Sequence, residues 1–266
     1  MTDPDLRYEG ARERRTRILA ALRRLGFLSI TDLARDLRVS PMTVRRDLHM
    51  LESSGEVRLV HGGASIAPDA LGAAYPRDGM SAARDRVATL AAGLVGSADT
   101  IAVDAGPTAH ALVRALPDSF TGSVITHSMP VLQLLTAHPS GARLVALGGE
   151  LRPDRHAFVG PCTETALAGL RARTFFLDPA AVDARGVYAD SPAEASVQRG
   201  LMEISDQVVL IAAADVSGRS APALIAPLDR LSRFVTDRPL PPELGAALRR
   251  AGVQDHRCRI HPVTPR

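Results

Sequence analysis

Met42, Thr43, Arg45, Arg46 and His49 share one arc of a single short helix. At about 100° per residue those positions lie together, while Val44, Leu48 and Leu51 make an apolar stripe on the other side. Ser40 and Pro41 mark the start. A serine hydroxyl accepts from a first-turn N–H, and proline loses nothing at the first helical position. Gly55 marks the end. Two guanidiniums, a hydroxyl and an imidazole on a short apolar-backed helix suit contacts to guanine edges and phosphates of double-stranded DNA. A solvated surface helix has the same pattern, so the flanking residues must decide.

Those flanks supply more. Residues 14–25 read as an amphipathic helix with Ile18, Leu19, Leu22 and Leu25 on its stripe, stopped by Gly26. Ile30–Leu37 reads as a second short helix. After the third, Glu56–Ala64 alternates as a strand does and runs into a Gly-Gly turn. Three helices and a short hairpin make the winged helix-turn-helix plan, in which the third helix enters the major groove. Arg58 and His61 then fall on the wing; His61 either touches phosphate or packs at the wing base. Gly62 and Gly63 are expected to serve positive-φ turn positions, with Gly62 close to DNA. Asp47 would repel phosphate, and is expected to cap or to pair with an Arg of the same domain.

The charge distribution agrees. All 32 basic residues are Arg, and residues 12–65 carry 11 Arg against 6 acids, whereas residues 66–266 carry 20 of each. The positive field sits where phosphates would be met. Aromatics make up 3% of the chain, which argues against a single-strand platform of stacked bases. There is no apolar run of membrane-spanning length and no apolar leader at the N-terminus, and Cys162 and Cys258 are too far apart for a disulfide framework, so a cytoplasmic location is expected.

Residues 66–80 are rich in Ala, Pro, Gly and Asp and read as a linker between a domain at 12–65 and another at 81–262. In the second domain, helices alternate with short apolar runs: 100–104, 123–126, 143–147, 174–177, 207–213, 233–236 and 257–261. That pattern predicts a mainly parallel α/β sheet covered on both faces. Such sheets bind ligands at the carboxyl ends of their strands. The ends here hold Asp104, Gly106 and Thr108, Thr126 and Ser128, Gly148 and Gly149, Asp178 and Asp215. The backbone N–H groups at Gly106–Thr108, opening a helix, are placed to hold a phosphate. No GxxxxGK[ST] or GxGxxG element is present, so no nucleotide cofactor is expected. His256, Cys258 and His261 match no common zinc spacing, so no metal is expected either.

The run Val39, Ser40, Thr43, Val44, Arg45, Arg46, Asp47, Leu48, then Leu51, Glu52, Gly55, then His61–Ala64, resembles the DNA-binding domain of the DeoR family of bacterial transcriptional regulators. Leu59 stands where the family usually has Arg. Residues 81–262 are similar to that family's sensor domain, which has the fold of ribose-5-phosphate isomerase. Asp104, Gly106 and Thr108 fit its Asp-x-Gly-Thr-Thr loop, with Pro107 at the first Thr. Thr126 and Ser128 fit Thr-Asn-Ser, with His127 at the Asn. Gly148, Gly149, Gly160 and Glu194-Ala195 also fit. The family's Gly-Ala/Cys-Asp-Gly-Ile-Asp segment reads Asp178-Pro179-Ala180-Ala181-Val182-Asp183, and Gly218 follows Asp215 and Ser217 where the family has Lys.

The resemblance implies a homo-oligomeric repressor of operator DNA, released by a phosphorylated sugar or related metabolite at Asp104, Gly106, Thr108, Thr126, Ser128, Gly148, Gly149, Glu194 and Asp215. Two alternatives stay open. The C-terminal domain has lost its ligand and only assembles, or it is an isomerase-like enzyme using paired carboxylates among Asp104, Asp178, Asp183 and Asp215.

Overall fold

The computed structural model describes residues 4–25, 27–53, 56–60, 62–66, 81–137 and 141–257. The chain divides into two compact units, 1–74 and 75–266. Of the stretch 66–80 read as a linker, Ile66 is the last residue of the third strand and residues 67–80 lie outside the described residues, as do Gly26, Gly55 and His61.

The first unit runs α1 (Pro4–Leu25), β1 (Phe27–Ser29), α2 (Ile30–Leu37), α3 (Pro41–Ser53), β2 (Val57–Val60) and β3 (Gly63–Ile66). The helix expected over 14–25 starts at Pro4, because the residues ahead of it are mostly good helix formers. Strand β1, three residues long, was too short to show a period. It pairs antiparallel with β3, giving a three-stranded sheet of order β1-β3-β2. Ile18, Leu22, Leu33, Val44, Leu48, Leu51, Val57 and Ala64 form one buried core. Gly62 has the positive φ expected of it, +80°. Gly63 does not: it is a strand residue, and any Cβ there would strike the Leu28 carbonyl and the Phe27 ring. Close approach of β1 to β3, not a turn, requires that glycine.

Asp47 is buried on the inner face of α3. Arg14 of α1 meets it with two hydrogen bonds, Nε to Oδ2 at 2.5 Å and Nη2 to Oδ1 at 3.2 Å. A bidentate pair of this kind sets the angle between two helices as well as neutralising the acid.

The second unit continues α4 (Ser81–Ala92), β4 (Thr100–Val103), α5 (Pro107–Arg114), β5 (Ser123–Thr126), α6 (Met129–Ala137), β6 (Arg143–Ala146), β7 (Glu150–Arg152), β8 (Ala157–Val159), α7 (Pro161–Ala166), β9 (Ala172–Leu177), β10 (Ala181–Asp183), β11 (Gly186–Ala189), α8 (Pro192–Glu203), β12 (Ser205–Ile211), β13 (Ala223–Ala226), β14 (Arg233–Thr236), α9 (Pro242–Arg250) and β15 (Gln254–Arg257). Seven strands form a sheet in the order β15-β14-β12-β9-β4-β5-β6, and every pairing is parallel. The last strand lies earlier than the expected 257–261, at Gln254–Arg257, and residues beyond it are outside those described.

Alternate residues serve opposite faces of this sheet. Ile101, Val103, Phe176 and Ile211 pack with α4 and α5, while Ala102, Phe175, Leu177 and Leu210 pack with α8 and α9. Two small antiparallel sheets, β7-β8 and β10-β11-β13, were not expected from the sequence. Their strands are three or four residues long and read as loop. The chain order turns back between β4 and β9, so the switch point of the sheet lies there. Ligand sites of open parallel sheets form at that crevice.

Asp47→Ala leaves the half-buried Arg14 guanidinium without its carboxylate. The expected cost is about 1–3 kcal/mol of stability in the N-terminal unit. Denaturant unfolding of the full chain checks it, and an unchanged midpoint would show that the pair contributes nothing.

Candidate functional site

The first site is the outer face of α3. Ser40 caps the helix, its Oγ accepting from the Thr43 N–H at 3.1 Å and lying 2.9 Å from Thr43 Oγ1. Thr43 is therefore half-buried and tied to the cap. Arg45 and Arg46 are exposed, and neither has an ion-pair partner among the described residues. Met42 is 68% exposed on the same face. His49 faces outward and sits 3.5 Å from Glu52 Oε2. The other oxygen of Glu52 accepts from the Leu59 N–H at 3.2 Å, so Glu52 joins α3 to the hairpin β2–β3. That positioning role was not anticipated. Arg58 points to solvent from β2 beside the tight turn at Gly62. The described side chains expected to meet DNA thus lie on the solvent side of α3 and β2, while His61 is outside the described residues, and Val44, Leu48 and Leu51 lie in the core.

The second site is a cluster at the carboxyl ends of β4, β5 and β9. Asp104, which follows β4, is fully buried and accepts along both oxygens. Oδ1 accepts from the Ala105 N–H at 2.8 Å and lies 3.0 Å from Nε2 of His127. Oδ2 accepts from the Asp178 N–H at 3.0 Å and from Nε2 of Gln198 at 2.9 Å. His127 Nδ1 lies 2.9 Å from the Phe158 carbonyl. A carbonyl only accepts, so Nδ1 carries a proton, and the contact between Nε2 and Asp104 needs one more, on the ring or on the carboxylate. His127 therefore ties β5 both to Asp104 and to the β7–β8 hairpin. Backbone bonds from Met129 to His156 and from Phe158 to His127 bind the same hairpin to the end of β5.

Asp178, which follows β9, occupies the turn where the sequence placed a phosphate. Its Oδ2 accepts from the Thr108 N–H at 2.7 Å and the Ala109 N–H at 3.0 Å, the first donors of α5. Thr108 is buried beneath it. Any Cβ at Gly106 would collide with the Asp178 carboxylate, so glycine is needed there for the side chain's approach and not for a ligand's. Burial pushes the Asp178 carboxyl up to about 7, with the Asp104 charge adding to the rise and the Ala109 and Thr108 bonds opposing it.

The remaining strand-end residues mostly hold the turns together. Thr126 Oγ1 accepts from the Ser128 N–H, and Ser128 Oγ faces the Val131 N–H at the start of α6. The Gly148 carbonyl accepts from Thr163 Oγ1, and Gly149, at φ +134°, packs against that same threonine. Glu194 is buried at the start of α8 in a reciprocal cap with Ser191 and accepts from Arg155 Nε at 2.8 Å. Asp215 lies in a single helical turn at Ala214–Gly218, its side chain outside those described. Asp183 belongs to the β10–β11 turn, where its Oδ1 accepts from Arg185 and Gly186. Of the carboxylates considered for acid–base work whose side chains are described, Asp104 and Asp178 are brought together and Asp183 is not. Gln198 was missed, although it sits one turn after Glu194 on one face of α8. No spacing marked Arg155, which comes from the hairpin.

Residues 80–238 match the family described as DeoR C terminal sensor domain, and residues 14–69 match the DeoR-like helix-turn-helix domain. The chain belongs to the DeoR family. The Transcriptional repressor AccR of Agrobacterium fabrum is 29% identical over 86% of this chain and 91% of its own length. The Putative aga operon transcriptional repressor of Escherichia coli O157:H7 is 28% identical over 93% of this chain and 94% of its own. Ribose 5 phosphate isomerase A from Neisseria gonorrhoeae aligns at 15% identity over 50% of this chain and 52% of that one, with a TM-score of 0.37. As a DeoR-family chain, it is a DNA-binding transcriptional regulator whose sensor domain carries the Asp104–Asp178 cluster. No helix of the described residues is long and apolar enough to cross a membrane.

The raised Asp178 pKa has a stability consequence. Between the unfolded value of 3.8 and the folded value of about 7, the folded chain binds more protons than the unfolded one, so stability falls as pH rises. Asp178→Asn keeps an acceptor for α5 and removes the charge. Its stability relative to the natural chain is expected to improve from pH 5 to pH 8, by on the order of 3 kcal/mol. Parallel thermal melts at the two pH values measure this, and a difference independent of pH would refute it.

Proposed function

We propose that the chain is a ligand-controlled repressor that binds operator DNA through α3 and the β2–β3 wing. The observation that carries this reading is the pair Arg45 and Arg46, exposed and without an ion-pair partner among the described residues, on a helix whose other face is core. Ser40, Met42, Thr43 and His49 complete the helix surface, with Arg58, His61 and Gly62 on the wing. One such unit covers a half-site, so a homodimer or larger assembly on a repeated site belongs to the reading. The C-terminal unit is the sensor. It binds a sugar or related metabolite at the strand-end crevice and acts through unequal affinity for the DNA-competent and DNA-incompetent states. No catalytic step is part of this function.

One observation favours a second reading. Asp104, Thr126, Ser128 and Gly148 are already hydrogen-bonded within the protein. In that reading the C-terminal unit only assembles. A thermal-shift panel of sugars and sugar phosphates separates the two: a metabolite that stabilises the chain and releases operator supports the sensor. A chain that self-associates but answers to none supports assembly alone.

Arg46→Ala is expected to weaken operator binding by about 1–3 kcal/mol in a gel shift at constant salt. Unchanged affinity would remove this face of α3 from the interface.

A further inference from the structure

Helix α5 begins at the switch point of the parallel sheet, where its first N–H groups face the strand ends. In open sheets this is where an anionic ligand is received. Here the donors are already matched. Both Thr108 and Ala109 give their N–H to one oxygen of Asp178, a residue only 7% exposed. The fit is built, because Gly106 has no Cβ and none could be added beside that carboxylate. Asp178 is itself held from behind, its backbone N–H bonding to Asp104 Oδ2.

A second observation concerns Gln198. Its Nε2 must face Asp104 Oδ2, which can only accept, and this orients the amide. Its Oε1 is then a buried acceptor with no partner among the described residues. The cluster thus holds a buried unused acceptor at Gln198 as well as the carboxylate at α5. Neither receives a phosphate. Both receive a hydroxyl.

We propose that Asp178 determines the specificity of this site: its carboxylate holds the place of a ligand's anionic group and restricts the site to ligands that are uncharged there. The inference rests on the reading of the C-terminal unit as a sensor and narrows its ligand class. It separates the phosphate-free part of a metabolite, bearing hydroxyl donors, from the phosphate that the helix terminus would otherwise accept.

The test uses inorganic phosphate on the full chain, with chloride at matched ionic strength as control. The natural chain is expected to show no phosphate-dependent rise in Tm at pH 8. Asp178→Gly opens the α5 terminus and is expected to bind phosphate about tenfold or more tightly than the natural chain, read as a concentration-dependent rise in Tm. Asp178→Ala gives the same readout should the glycine variant not fold. Asp178→Asn, which keeps the space filled, is expected to stay indifferent. Phosphate stabilising the natural chain or Asp178→Asn overturns the proposal, and so does a folded Asp178→Gly or Asp178→Ala that ignores phosphate. Failure of the sensor reading looks different: no metabolite alters operator affinity, while the phosphate gain of the opened variants stands.

Discussion

A single buried carboxylate organises the sensor unit. Asp104 has no contact with solvent and ends a central strand, so every lone pair it keeps must find a donor inside the protein. It finds them on the turn after its own strand, on the turn after β9, on α8 and on His127, which follows β5. Four separate segments are thereby drawn to one point. Removing any one of these donors would leave buried charge poorly compensated, which costs more than the hydrogen bond itself contributes. The arrangement of α5, α8 and the β7–β8 hairpin around the crevice follows from that requirement.

The DNA-binding unit solves a smaller version of the same problem. Asp47 is buried on the helix that must present a cationic face, and Arg14 neutralises it from behind. The acid therefore does not subtract from the field of Arg45 and Arg46. Glu52 is the second device: by accepting from the Leu59 backbone it sets the distance between helix and wing. Both acids sit within a positive domain and act on its geometry.

Much of this was legible in the sequence. Periodicity over 30–37 and 41–53 located α2 and α3, Ser40 and Pro41 located the cap, and six of the seven apolar runs located parallel strands, while the seventh strand lies ahead of the run at 257–261. The partner of Asp47 was foreseen as an Arg without its number, because pairing between helices depends on packing that no local spacing encodes. The same limit hid the strand-end cluster. Asp178 stood visibly in a segment that usually opens with Gly. That its side chain would reach α5 depends on β9 lying next to β4, a neighbour relation set by the whole sheet. Thr126, Ser128, Gly148 and Gly149 stood out at the strand ends, but turns that hold themselves together use the same small polar residues as turns that hold a ligand, so their hydrogen bonds within the protein carried no separate mark in the sequence. The short strands of the two small sheets carried no period long enough to detect.

The order of the parallel sheet also dictates when the crevice can exist. Strand β4 ends at Val103 and its neighbour β9 begins at Ala172, with three helices and two further strands of the same sheet between them on the chain. Pairing across that interval closes a long loop, an entropic step that local helices and hairpins do not face. Gln198 and Glu194 arrive later still. On a ribosome the N-terminal unit, built from local contacts, has all its parts well before the sensor does. A nascent chain thus carries a complete DNA-binding domain while the sensor domain that follows it is still unmade.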